Sequence, residues 1–284
     1  MIRLAILGVE SSHTDSFVRQ IAKREDVELT AISAESEELL SAFKAKFPDL
    51  KCKYVSPAEL GEDADAILVN LRDGAKHLAA VKECAREGVS IWIDKPFAAS
   101  VEDAEAMIDI FEKKGIAYSG GTMIRYTDAV LDMKPFYEEN KDTLMSALLC
   151  FTVDINSPYS GLHFYAPHLI ESAISVYGTG VKTVYSKLVG ENLTVTLGYE
   201  SFNVILNYAV AKTPYPYAAF AKGGSYVTTL TSQQYGAAEA RLFDDILELA
   251  EKKVMKEGRD FFVTAVKVCC AIVDSIKEKK EISL

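Results

Sequence analysis

The chain has 284 residues, with 31 Lys and Arg against 41 Asp and Glu, a formal net charge of −10. The acidic balance argues against nucleic acid or anionic lipid as a general partner. The composition, 49% hydrophobic and 25% charged, excludes a disordered chain. The length suits roughly two domains of ordinary size, with enough chain to bury a core without staples. No run of about 18 apolar residues is present to cross a membrane, and Met1–Gly8 lacks a signal-peptide layout. The five cysteines are odd in number and irregularly spaced, and Cys269 and Cys270 lie side by side in an apolar helical pattern. Reduced, buried thiols and a cytoplasmic location are expected.

In chain order, the first 120 residues alternate strand and helix. Strands are predicted at 2–9, 27–34, 66–70, 89–93 and 116–118. Helices are predicted at 13–24, 37–47, 76–87 and 101–114, the last two closed by Gly88 and Gly115. Such alternation argues for crossover units on a parallel sheet. Beyond Gly120-Gly121 the pattern changes to β-rich runs at 145–155, 183–189, 193–198, 202–211 and 225–232. One helix at 166–176 interrupts them and two, near 237–252 and 261–278, close the chain. The expected architecture is a Rossmann-type domain over 1–120, followed over 121–284 by an α+β domain on an open, mostly antiparallel sheet.

The turn Gly8-Val9-Glu10-Ser11-Ser12-His13 joins the first strand to the first helix. A dinucleotide fold places Gly-x-Gly-x-x-Gly here, for the tight turn, the approach of the pyrophosphate and the close packing of helix on strand. Only Gly8 matches. Glu10 stands at the second glycine and His13 at the third. Ser11, Ser12 and the helix-end amides can hold an anion, while a carboxylate at Glu10 competes for the same positive helix end. A cofactor turn and a merely capped helix start both fit. Glu35, at the end of the second strand, sits near the distance at which an acid binds ribose hydroxyls; it would repel a 2′-phosphate, favouring NAD over NADP. A solvated loop glutamate is the other reading.

Asp94-Lys95-Pro96 follows the fourth apolar strand, where the carboxyl ends of parallel strands bind ligands. An ammonium there can polarise a substrate hydroxyl or relay its proton. The spacing of His163 and His168, five apart, suits no single helical face, and no His-Glu-x-x-His or paired Cys-x-x-Cys is present, so no metal is expected. Lys212-Thr213-Pro214-Tyr215-Pro216-Tyr217 reads as a Pro- and Tyr-rich loop, suited to stacking on a sugar face or to a subunit contact.

These residues resemble the Gfo/Idh/MocA family of NAD(P)-dependent oxidoreductases. Asp94-Lys95-Pro96 matches the family's Glu-Lys-Pro with Asp for Glu. Ala66–Val69, His77, the segment from Gly120 through Arg125-Tyr126, His168-Leu169-Ile170-Glu171 with Gly178, and the closing 265–284 fit in one register. The resemblance implies a dehydrogenase acting on a polyol or sugar-like substrate. It implies cofactor contacts from Gly8, Glu10, Ser11, Ser12, His13, Glu35, His77, Asp94, Lys95 and Pro96. Proton handling would fall to Lys95 and His168, substrate orientation to Arg125 or Tyr165, and assembly to a homodimer or homotetramer through the open sheet. The chain departs from the family at the second and third glycines. Its Thr-Pro falls on Arg72-Asp73, its strand-end aspartate on Ala34, and the acid four residues before the catalytic histidine on Phe164, beside which His163 is a candidate substitute. These departures keep a second function open: a non-catalytic descendant of the fold that binds a small ligand or a partner.

Overall fold

The computed structural model describes residues 1–209 and 214–284, and in it the alternating first half forms a six-stranded sheet. Its strands are β1 (Ile2–Leu7), β2 (Val27–Ser33), β3 (Lys53–Tyr54), β4 (Ala66–Val69), β5 (Ser90–Asp94) and β6 (Tyr118–Gly121). Four helices connect them: α1 (Ser12–Ile21), α2 (Glu37–Lys46), α3 (His77–Cys84) and α4 (Val101–Lys113). The order is β3-β2-β1-β4-β5-β6, every pair parallel. β4 and β5 are buried along their whole length, which is why they read as unbroken apolar runs rather than alternating ones. The strand order reverses beside β1, and such a reversal opens a crevice at the carboxyl ends of the central strands.

Two details differ from expectation. β3 is only two residues long and carries no readable period; it exists through its pairing with Ala31 and Ile32. Helix α3 stops at Cys84, because Ala85 turns to extended backbone and its carbonyl accepts from Lys114 Nζ at 2.7 Å.

The second half contains α5 (Asp128–Leu131), α6 (Met133–Asn140), β7 (Leu144–Phe151), α7 (Pro167–Tyr177), β8 (Thr183–Val189), β9 (Asn192–Gly198), β10 (Asn203–Tyr208), β11 (Tyr215–Ala221) and β12 (Gly224–Leu230). Helices α8 (Tyr235–Lys252) and α9 (Arg259–Glu278) and the short β13 (Ile282–Ser283) follow. The sheet order is β12-β11-β7-β10-β9-β8-β13. All its pairs are antiparallel except β7 with β10.

One face of this sheet is core: Tyr217, Leu149, Leu206 and Val195 lie side by side in register and are all fully buried. The next row, facing the other way, runs Val227, Ala218, Leu148, Ile205, Thr196, Tyr185. Val227 is 66% and Tyr185 43% exposed. Of the expected Pro-Tyr loop, Lys212 and Thr213 lie outside the described residues, as do 210 and 211 of the strand expected at 202–211. Tyr215–Tyr217 is not loop but the start of β11. Pro216 is tolerated there because β7 pairs with β11 only from Tyr217 onward, so no ladder bond on that side needs its missing N–H.

The chain divides into one unit of residues 1–121 with 240–259, and a second of residues 122–239 with 260–284. The first unit thus takes in a late segment that the two-block division at 120 and 121 did not include. Packing explains it. Phe243 of α8 stacks on Phe17 of α1 at 6.2 Å, and Ser90 Oγ at the start of β5 donates to the Leu249 carbonyl at 3.0 Å. Arg259 bonds Glu112 through Nη2 at 2.7 Å and also pairs with Asp109.

Candidate functional site

In the first unit the β1–α1 turn is built around Gly8, whose φ is +101°. A Cβ there would lie 3.0 Å from Leu71 Cδ2 and 3.1 Å from the Asn70 backbone carbon, so glycine is required by conformation and by space. Gly8 N donates to the Ser33 carbonyl at 2.9 Å. Thr14 Oγ1 donates to the Gly8 carbonyl at 2.8 Å and accepts from Asn70 Nδ2 at 3.1 Å. The turn is therefore tied to the ends of both β2 and β4. Ser11 caps α1, accepting from His13 N at 3.2 Å; Ser12 and Glu10 are exposed.

The Glu35 carboxylate reaches this turn. It accepts from Val9 N at 2.9 Å and from Glu10 N at 3.4 Å. An acid one place later than the usual strand end thus still arrives beside the glycine turn. Asn70 Oδ1, buried at the end of β4, makes no hydrogen bond among the described residues, and a ligand bearing a donor would complete it. The glycine cradle, the acid at the turn and this orphaned acceptor fit a dinucleotide; the exposed Glu10 carboxylate is the one feature that opposes an anion.

At the end of β5, His13 Nδ1 lies 2.8 Å and 2.9 Å from the two carboxylate oxygens of Asp94. Asp94 is 3% exposed. Burial alone would push its pKa up, but His13 and then Lys95 outweigh burial and hold the carboxyl below its ordinary value. Lys95 is likewise buried, and the Lys95–Pro96 peptide is cis. The loop that follows is held from beneath. A Cβ on Gly74 would come within 2.7 Å of Pro96 Cγ and 3.1 Å of the Ala98 carbonyl carbon.

His77, fully buried, has Nε2 2.9 Å from the Leu71 carbonyl and Nδ1 3.1 Å from the Phe97 carbonyl. Burial lowers its pKa despite those carbonyls. His77 lies between the carbonyls of Leu71 and Phe97, its ring N–H donating to one of them, and so packs the Lys95-Pro96 loop against the segment that follows β4.

In the second unit, His168 opens α7 and is nearly buried. Its Nδ1 lies 2.5 Å from Thr122 Oγ1, which also accepts from Ile124 N at 3.1 Å. Thr122 N in turn donates to Glu171 Oε2 at 2.7 Å. The rings of Phe151 and Tyr165 stand edge-on to the imidazole at 5.0 and 5.5 Å. Thr122 carries no signal in the sequence beyond following two glycines.

Arg125 is buried, with its guanidinium 5.0 Å from the Tyr126 ring centre and 5.1 Å from that of Phe261. Phe164, where the resemblance leads one to expect an acid, packs between Tyr159 and Tyr165 at 5.1 and 5.0 Å. His163 belongs elsewhere: Nδ1 lies 3.2 Å from the Ser160 carbonyl and Nε2 3.7 Å from Cys270 Sγ. Cys270 is half-buried, not enclosed as the apolar pattern suggested, whereas Cys269 is buried. All five cysteines are free thiols. Among the described residues no group of three or more His, Cys, Asp or Glu could hold a metal ion, and no helix is long and apolar enough to cross a membrane.

A doubly wound parallel sheet with a glycine turn, an acid upon it and a buried Asp-Lys-Pro at a strand's carboxyl end defines a Rossmann-type domain. Residues 2–122 match the profile of the Gfo/Idh/MocA oxidoreductase family, NAD-binding Rossmann fold. The chain is 24% identical over 303 positions to scyllo-inositol 2-dehydrogenase (NADP(+)) IolU of Bacillus subtilis (strain 168), covering 94% of this chain and 89% of that protein. Its fold is that of myo-inositol 2-dehydrogenase from Lactobacillus plantarum, with a TM-score of 0.84 at 14% identity over 100% of this chain and 99% of the other. GenD2 from gentamicin A biosynthesis, solved in complex with NAD, superposes with a TM-score of 0.83 at 11% identity over 100% and 96% of the two chains.

The Asp94–His13 pair generates a stability prediction. A carboxyl held below its unfolded value of about 3.9 stabilises the fold fully above that pH, and the contribution fades as pH falls through the lower folded value. His13→Ala leaves the buried carboxylate with less compensation and should cost about 2 kcal/mol at neutral pH. The acid limb of its urea-midpoint profile should also begin at higher pH than in the unmodified protein. An unchanged acid limb would show that His13 does not hold Asp94 ionised.

Proposed function

We propose that the protein is an NAD-dependent dehydrogenase that interconverts a hydroxyl and a carbonyl on a polyol or sugar-like substrate. The observation that carries the reading is the Glu35 carboxylate on the amides of Val9 and Glu10, the position from which an acid holds ribose hydroxyls. The same carboxylate would face a 2′-phosphate, which is the ground for NAD here although the Bacillus subtilis relative is named for NADP. The names of the inositol dehydrogenases similar to this chain support the polyol.

When bound, the nicotinamide supplies the hydride chemistry. Lys95, buried at the carboxyl end of β5, polarises the substrate hydroxyl or relays its proton. His168, held at Nδ1 by Thr122, is the second unit's candidate for orienting the substrate. Tyr165 lies against His168 and contributes a hydroxyl to the substrate; Arg125 acts at one remove, from its stacked position. Phe164 in an aromatic cluster favours a second reading, a ligand-binding protein without turnover. The apolar row from Val227 to Tyr185 is covered by a second copy of the chain, in a homodimer or homotetramer.

A titration with NAD tests the cofactor. At 100 times its dissociation constant NAD should stabilise the protein by about 2.7 kcal/mol, with NADP binding more weakly. Glu35→Gln should narrow the gap between the two. A melting temperature that neither cofactor moves at millimolar concentration would sink the assignment.

With an inositol as substrate, Lys95→Ala and His168→Ala should each slow turnover roughly 10²–10⁴-fold while leaving NAD affinity nearly unchanged. The double variant should be little worse than either single one. Full activity in Lys95→Ala would remove Lys95 from the chemistry, and absence of turnover in the unmodified protein despite NAD binding would favour the second reading.

Light scattering on the eluted protein should give a multiple of the chain mass. Ile205→Glu, at the middle of the apolar row, should bring it to the mass of one chain; a single-chain mass before substitution would contradict the assembly.

A further inference from the structure

The second unit holds a nucleophile and a base that the proposed redox chemistry does not use. Cys270 Sγ on α9 lies 3.7 Å from His163 Nε2, and His163 Nδ1 lies 3.2 Å from the Ser160 carbonyl oxygen. A carbonyl oxygen only accepts, so Nδ1 carries the ring proton of the neutral imidazole. Nε2 then turns its lone pair toward the sulfur. A thiol, a base within reach of it and a third group fixing the base's orientation are the three parts of an activated nucleophile. They come from separate segments, the short helical turn Gly161–Phe164 and the last long helix. Sequence position does not force the contact, since 107 residues separate the two side chains.

We propose that Cys270 is a modification site, the thiol through which this protein reacts with hydroperoxides and other soft electrophiles, with His163 as its base. The thiol proton moves to His163 Nε2 as the sulfur attacks the terminal oxygen of the hydroperoxide. An S–O bond forms, the O–O bond breaks, and the leaving alkoxide or hydroxide recovers the proton from the imidazolium. Cys270 becomes a sulfenic acid, oxidised by two electrons, and the hydroperoxide is reduced to an alcohol or water.

The neighbouring thiol does not close a disulfide on it. Adjacent residues on a helix point about 100° apart, and Cys269 is 2% exposed on the buried side. Its thiol is pushed well above the ordinary value by burial. The sulfenic acid therefore persists and is captured by small thiols in solution.

The test is site-resolved labelling of the full chain with iodoacetamide at pH 7.0, read by peptide mass spectrometry. The rate constant of Cys270 should exceed that of N-acetylcysteine under the same conditions by roughly fivefold, the gain expected when a mostly protonated thiol is given a base. His163→Gln should remove that gain. The comparison with N-acetylcysteine uses the unmodified protein and stands whether or not the variant folds. After brief hydrogen peroxide treatment, dimedone should mark Cys270 and leave Cys269 unmarked. A Cys270 rate at or below that of N-acetylcysteine, a folded His163→Gln variant that reacts as fast as the parent, or dimedone on Cys269 instead would overturn the proposal.

Discussion

The carboxylate of Asp94 is enclosed by protein and must still be charged for the end of β5 to hold its shape. That requirement organises the first unit. His13 supplies the partner from the first turn of α1, so the crossover that leaves β1 is bonded to a strand two places away in the sheet. A buried carboxylate without such a partner would protonate or draw in water, and either change would loosen the cis Lys95–Pro96 segment beside it. His13, which stands at the third glycine of the pattern, is thus the residue that pairs with the start of the Asp-Lys-Pro loop. His77 and Gly74 do the same from below, one by filling the space between two backbone carbonyls and the other by leaving no side chain in the way.

The second unit solves a different problem with aromatic rings. His168 is buried among Phe151 and Tyr165 and meets Thr122, whose backbone is in turn held by Glu171. Phe164 extends that cluster to Tyr159. A carboxylate at the position of Phe164 would have to be desolvated among rings. The imidazole next in sequence, His163, turns away and finds the sulfur of Cys270.

Much of this was legible from the residues because much of it is local. Apolar runs located β1, β2, β4 and β5 to within a residue or two, and the antiparallel runs 183–189 and 193–198 matched β8 and β9 as closely. β3 and β13 are too short for any period to register, and β11 was hidden by Pro216, whose cost vanishes only in the register this sheet adopts. In the site, Gly8 and Glu35 were visible because spacing along a βαβ unit is regular. The bond from His13 to Asp94 spans 81 residues, and that from Thr122 to His168 spans 46. No pattern of spacing announces such contacts; they follow from which strand ends and helix starts the topology makes neighbours.

The discontinuity of the first unit has a consequence for how the protein comes into being. Its parallel sheet is complete in sequence at Gly121, yet the surface that receives Phe243 and Leu249 stays uncovered until residues 240–259 are made. On a ribosome adding about 5–20 residues per second, that leaves an apolar flank bare for several seconds while β7 to β12 of the second sheet are synthesised. The first unit is therefore the first to begin folding and cannot finish until most of the second has emerged. A chain cut after residue 121 would be a fragment with an exposed flank rather than a separable module, and the two units are bound together by the order of their synthesis.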